Sequence, residues 1–232
     1  FVANVSHEIR TPLTVMSGFI ETLQSLQLEA ADREKYLELM SVQALRMQEL
    51  VNDLLILSQL EGSSLPSTSD PVGLEMLMSG IESEARGLSV SQRHVGDEPQ
   101  ILHFETPKGV EILGVSKEIY SAASNLVNNA VRYTPAGGLI TALWTLLPDQ
   151  RIQFSVVDTG PGIASEHLPR LTERFYRVDP ARSRETGGTG LGLSIVKHVA
   201  ANHGGEITVW SSPNVGSTFA LRLPVYSPEG VI

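Results

Sequence analysis

Asn125-Leu126-Val127-Asn128-Asn129-Ala130-Val131-Arg132-Tyr133 lies near the middle of the chain, and its reading decides what surrounds it. Its apolar residues keep helical spacing within a pattern that runs from Lys117 to Tyr133. Asn is a mediocre helix former, so its recurrence at 125, 128 and 129 is a local cost that asks for a reason. Asn125 and Asn129 are four apart and project from one helical face, where their amide oxygens suit a hard cation such as Mg²⁺. Arg132 follows one turn further on and could grip a phosphate. Ordinary polar positions on a half-buried helix are the plain alternative.

Around this helix the texture is mixed α and β. Helical patterns occupy Leu74–Leu88 and Leu191–His203, and strand-like runs occupy Ile101–Glu105, Leu139–Leu147, Arg151–Val157, Glu206–Ser211 and Ser217–Leu223. The expected form is a sheet with helices packed on one face. Asp158-Thr159-Gly160-Pro161-Gly162-Ile163 follows the third of these strands. A carboxylate at a strand end can accept a hydrogen bond from an adenine amino group while a flat glycine turn packs on the ring. A simple turn explains the glycines equally well. Gly187-Gly188-Thr189-Gly190-Leu191-Gly192-Leu193 leads straight into a helix. Glycines let backbone N–H groups approach an anion, and a helix N-terminus adds partial positive charge. The spacing is not that of a Rossmann turn, and no Lys stands where a Walker loop needs one. A flexible loop with a helix cap is the alternative here.

Towards the N-terminus, Val2, Val5, Ile9, Leu13, Met16, Ile20, Leu23 and Leu26 mark one face of a long helix. A polar break at Glu29 to Asp32 precedes a second pattern through Tyr36, Met40, Met47, Leu50, Val51, Leu54 and Leu57, ending near Gly62. Two helices cannot bury both stripes, so the hairpin is expected to dimerise into a four-helix bundle. Gly62 to Pro71 is rich in Ser and Pro and reads as a linker. On the first helix stands Ser6-His7-Glu8-Ile9-Arg10-Thr11-Pro12. His7 and Glu8 lie beside the apolar stripe, where a carboxylate can orient an imidazole and take its proton while the other nitrogen attacks. Thr11 is one turn away on the same side, and Pro12 should bend the helix. A surface histidine beside a chance Pro is the bland reading.

The net charge of −9 over 232 residues argues against a nucleic-acid partner, and any bound phosphate must be captured locally. The chain has no cysteine, which excludes disulfides, thiolate metal sites and Cys nucleophiles. Its longest apolar runs fall short of the roughly 18 residues that cross a bilayer. It opens at Phe1, inside a helical pattern and without Met, as a fragment of something longer would.

In this order, the four clusters resemble the H, N, G1 and G2 boxes of a sensor histidine kinase. Glu173-Arg174-Phe175-Tyr176-Arg177-Val178 looks like the F box. The wording of His7–Pro12, Leu171–Glu185 and Gly187–His198 is similar to the phosphate-regulon branch of that family. The resemblance implies a helical dimerisation and phosphotransfer domain (1–62), a linker (63–71) and an ATP-binding domain of the Bergerat α/β sandwich type (72–232). It implies that His7 takes the γ-phosphoryl of ATP, with Glu8 as general base and Thr11 positioning water for hydrolysis of the regulator's phospho-aspartate. Asn129 would hold Mg²⁺ with Asn125 in support, and Arg132 and Tyr133 would face the nucleotide. Asp158 would hold the adenine. Gly160, Gly162, Gly188, Gly190 and Gly192 would shape the pocket, with Thr189 and Leu191 between them. Arg177 would reach the γ-phosphate from a lid at roughly 179–187. The implied partners are a second copy of the chain and the receiver domain of a PhoB-like response regulator. The implied location is the cytoplasmic side of a bacterial inner membrane, behind a missing sensor segment. Thr159 departs from the family, where Asn is frequent.

Two other classes compete. A Bergerat-fold ATP hydrolase needs a carboxylate one turn before the metal-binding Asn, and Asn125 has no such basicity. A non-catalytic scaffold that binds a response regulator leaves the nucleotide-site residues without a purpose.

Overall fold

The computed structural model describes residues 2–62, 70–179 and 188–225. Most of the expected linker (63–69), and the expected lid from 180 to 187, lie outside the described residues.

Helices α1 (Val2–Ser25) and α2 (Ala30–Gly62) fold back on each other as a hairpin. Phe19 stacks near Tyr36 with ring centroids 5.4 Å apart, while Glu8 lies 3.9 Å from Arg46, so the two helices run antiparallel. The break falls at 26–29, earlier than the expected Glu29 to Asp32. Asp32 instead sits in the first turn of α2, where a carboxylate favours the positive helix end. Helix α1 continues through Pro12, which withholds its donor from the Glu8 carbonyl. In one chain, part of the expected stripes stays in solvent: Leu13 is 45% exposed and Ile20 41% on α1, Leu26 58% just past its end, and Val51 45% on α2. Leu37, Leu45 and Leu55, outside the expected α2 stripe, are exposed as well. By contrast, Leu50, Leu57 and Leu60 of α2 are buried, the lower end of that helix packing against the second unit.

The second unit starts slightly before its expected boundary. Gly114 donates its N–H to the Asp70 carbonyl, and β1 (Pro71–Gly73) pairs antiparallel with β3 (Glu111–Leu113). Beyond them lie α3 (Leu74–Ser91), β2 (Ile101–Glu105), α4 (Ser116–Tyr133), β4 (Leu139–Leu146), β5 (Arg151–Asp158), α5 (Gly192–Asn202), β6 (Glu206–Ser212) and β7 (Gly216–Pro224). The main sheet has the order β2-β4-β5-β7-β6, with β2 parallel to β4 and the other pairs antiparallel. Period-two alternation puts Ile140, Ala142 and Trp144 of β4, Phe154 and Val156 of β5, and Phe219 and Leu221 of β7 on one face. Those side chains are buried, and α3, α4 and α5 pack over that side of the sheet. Among the described residues no helix is long and apolar enough to cross a membrane.

Candidate active site

Asp158 is the last inward position of β5, opposite Ile140 and Ser217 in the register. Where the strand pattern calls for another apolar side chain, it places a carboxylate, 7% exposed. Burial pushes that carboxyl above the ordinary carboxylate range, and the N–H groups of Gly160 and Ser217 pull it back. The Gly160 amide lies 2.8 Å from Oδ1, so this glycine serves the carboxylate from behind.

Beneath α4 opens a cavity of about 730 Å³, within the range of small-molecule sites. Asn125, Asn129, Arg132 and Tyr133 line it from α4, and Asp158 and Gly162 line it from the end of β5. Gly188, Thr189, Gly190 and Gly192 close another side, ahead of α5. Arg177 enters from the loop between them. The two α4 amides differ. Asn125 donates from Nδ2 to the Ser121 carbonyl at 2.8 Å, leaving Oδ1 against Gly192. Asn129 makes no side-chain hydrogen bond among the described residues, so its oxygen is available to a cation. Arg177 is 10% exposed, and its Nε–H is buried without a partner among the described residues. A buried unpaired donor costs about 1–3 kcal/mol, and an anionic oxygen would satisfy it. This donor set fits a nucleotide phosphate chain with a hard cation.

Two expected residues do not line the cavity. Leu191 is a fully buried core residue, and its N–H is bonded to Thr189 Oγ1 at 3.2 Å. Gly160 lies behind Asp158 as described.

Sequence reasoning missed the wall that α2 provides. Glu49, Asn52, Asp53 and Ile56 line the same cavity. Arg132 donates to Glu49 Oε1 at 3.0 Å, Thr189 to Asp53 Oδ2 at 2.6 Å, and Arg177 to Glu8 Oε2 at 2.8 Å. Acids of the hairpin thus sit on Arg132 and Arg177, both expected to meet phosphate, and on Thr189 of the glycine-rich loop. Burial raises the Asp53 carboxyl; the Thr189 hydroxyl lowers it, the Glu49 charge raises it and Arg132 lowers it. Acids on a long helix carry no sequence signal that marks them for a distant cavity. His7 is exposed on α1 beside Glu8, and the Thr11 hydroxyl donates to the His7 carbonyl at 3.2 Å, a back-bond along the helix.

Residues 1–63 match the family described as "His Kinase A (phospho-acceptor) domain". Residues 114–227 match "Histidine kinase-, DNA gyrase B-, and HSP90-like ATPase". The chain is 46% identical over 220 residues to the phosphate regulon sensor protein PhoR of Pseudomonas aeruginosa, covering 94% of this chain and 48% of that protein. It is 41% identical over 232 residues to the sensor-like histidine kinase SenX3 of Mycolicibacterium smegmatis, covering 99% of this chain and 58% of the other. The chain therefore spans about half the length of the curated relatives it matches. Among solved structures, full-length ShkA in complex with AMPPNP superimposes with a TM-score of 0.67 at 28% identity, covering 97% of this chain and 45% of that one. The histidine kinase ThkA in complex with the response regulator TrrA gives a TM-score of 0.71 at 22% identity, over 99% of this chain and 62% of that one, a likeness of fold.

Proposed function

This chain belongs to the sensor histidine kinases, with a phospho-acceptor hairpin ahead of a gyrase- and Hsp90-like ATP-binding domain, and from that premise we propose that it phosphorylates its own His7 from ATP. One observation carries the reading: Arg177 lines the cavity that contains Asn129 and Asp158, and it also bonds Glu8, the neighbour of the exposed His7. The cavity and the residue next to His7 are therefore joined through one guanidinium.

In this mechanism Asp158 accepts a hydrogen bond from the adenine amino group, and Arg132 and the N–H groups ahead of α5 hold the phosphates. Asn129 would hold Mg²⁺ with Asn125 in support, and the cation would supply positive charge against the negative charge of the phosphates. A nitrogen of His7 attacks the γ-phosphorus, the N–P bond forms, and the bond to the bridging oxygen of ADP breaks. Arg177 turns from Glu8 to the transferring group, which frees the Glu8 carboxylate to take the proton from the other imidazole nitrogen. The phosphoryl group then passes to an aspartate of a response regulator, of the PhoB kind by the chain's likeness to PhoR, in phosphate-starvation signalling. Thr11 would position water when the phospho-regulator is hydrolysed. The working unit is a homodimer through the exposed α1 and α2 stripes. It lies on the cytoplasmic side of a membrane-anchored sensor, with 1–62 as phosphotransfer domain, 63–71 as linker and 72–232 as catalytic domain.

Incubation with labelled ATP and Mg²⁺ tests this. The expected label survives base and is lost in acid, and His7→Ala abolishes it while ADP still binds. Labelled His7→Ala protein would overturn the assignment, and rapid phosphate release without protein label would favour the ATP hydrolase.

A further inference from the structure

Between Asp158 and α5 the chain has only one short 3-10 turn, Leu168–Arg170, among the described residues. Arg177 therefore lies on a segment that neither helix nor strand holds in place. Its position depends on the residue before it. Tyr176 lines the cavity beside Arg177, and its hydroxyl lies 2.6 Å from His167 Nδ1, nine residues earlier. The Arg170 guanidinium stacks over the Tyr176 ring, 4.2 Å from its centroid, and is itself paired to Glu173 at 3.2 Å. The ring is thus fixed at its face by a cation and at its tip by an imidazole. One residue earlier, Phe175 adopts a left-handed backbone (φ 64°) and donates its N–H to the Gly190 carbonyl at 2.8 Å.

We propose that His167 is a positioning residue for phosphoryl transfer, holding Arg177 in the cavity through its hydrogen bond to Tyr176. The inference rests on the reading of Arg177 as the group that meets the γ-phosphate. Either imidazole tautomer can serve, because the hydroxyl both donates and accepts. On that reading the hydrogen bond serves the group that meets the γ-phosphate, so its loss is expected to act on the transfer step and to leave ADP binding alone. A displacement of about 1 Å at a transferring group costs as much as a hundredfold in rate.

The experiment compares autophosphorylation at saturating ATP with ADP affinity in the whole chain. His167→Ala and Tyr176→Phe are each expected to slow labelling roughly ten- to hundredfold while ADP affinity stays unchanged. His167→Gln, which can still bond the hydroxyl, is expected to recover most of the rate. On an Arg177→Ala background, His167→Ala should add no further loss, because its effect passes through Arg177. Labelling of His167→Ala at the wild-type rate overturns the inference. So does a parallel fall in rate and ADP affinity, or a further loss on the Arg177→Ala background. Should His167→Ala not fold, Tyr176→Phe deletes the same hydrogen bond with almost no change of volume. His7→Ala run alongside separates the two readings: label on that variant overturns the assignment of His7 as acceptor, whereas its absence beside a full-rate His167→Ala overturns the positioning alone.

Discussion

Asp53 and Gly190 show how single residues shape the cavity. Burial raises the Asp53 carboxyl above its ordinary value, ahead of the opposing Thr189 hydrogen bond. Below the ordinary value of about 4 the group is protonated in both folded and unfolded chains and costs nothing. Through the raised folded value the native state holds the extra proton, so stability declines as pH rises. Asp53→Asn is therefore expected to raise the thermal midpoint at pH 7.5, with the gain fading as the pH approaches about 4. Calorimetry at several pH values checks this, and a pH-independent gain would count against it. Gly190 holds φ at +75°, and an added Cβ would stand 2.9 Å from the Phe175 Cα. Gly190→Ala should lose at least about 1–2 kcal/mol from the left-handed backbone, measured by urea unfolding, and should weaken ADP binding as well. The sequence marks Gly190 as part of an anion cradle, and the structure adds its close approach to Phe175. It marks nothing at Asp53, because an acid on a helix is what any solvated face carries.

Among the elements, the five strands of the main sheet were legible within a residue or two, since burying one face imposes an alternation that sequence displays. The pair β1 and β3 was not legible. Each has three residues, too few for a period, and their pairing spans about forty positions. The parallel match of β2 with β4 was equally silent, because register between distant strands is set by packing rather than by local pattern. His203 shows a similar long-range tie. Its Nε2 accepts the Val115 N–H at 3.1 Å and its Nδ1 meets the Val199 carbonyl at 2.9 Å, so the ring bridges the end of α5 to the start of α4. The residue is 4% exposed. His203→Ala would take the partner from that part-buried amide, with an expected loss of about 0.5–1.5 kcal/mol in urea unfolding. An unchanged midpoint would show that the bridge contributes nothing.

At the scale of the whole molecule, the exposed apolar side chains of α1 and α2 predict a dimer in sedimentation, and Ile20→Glu with Leu45→Glu should give monomers. A wild-type mass that stays monomeric at every concentration would refute this. The three hairpin acids on Arg132, Thr189 and Arg177 concern the two units together. A guanidinium or hydroxyl engaged by a carboxylate is not free for phosphate, so on the proposed mechanism helix docking and nucleotide binding would draw on the same donors. Glu49→Gln with Asp53→Asn is expected to tighten ATP binding by on the order of tenfold, the scale of one lost ion pair and one weakened hydrogen bond; an unchanged affinity in a titration would sink the competition. Such coupling is necessarily reciprocal. A twist or slide of α2 that drew Glu49 and Asp53 away would strengthen the hold on ATP by the same factor that ATP favours the shifted helix. Occupancy of the cavity and posture of the helix would then be two readings of one equilibrium, and a mechanical input at the far end of the hairpin would reach the nucleotide without any separate relay.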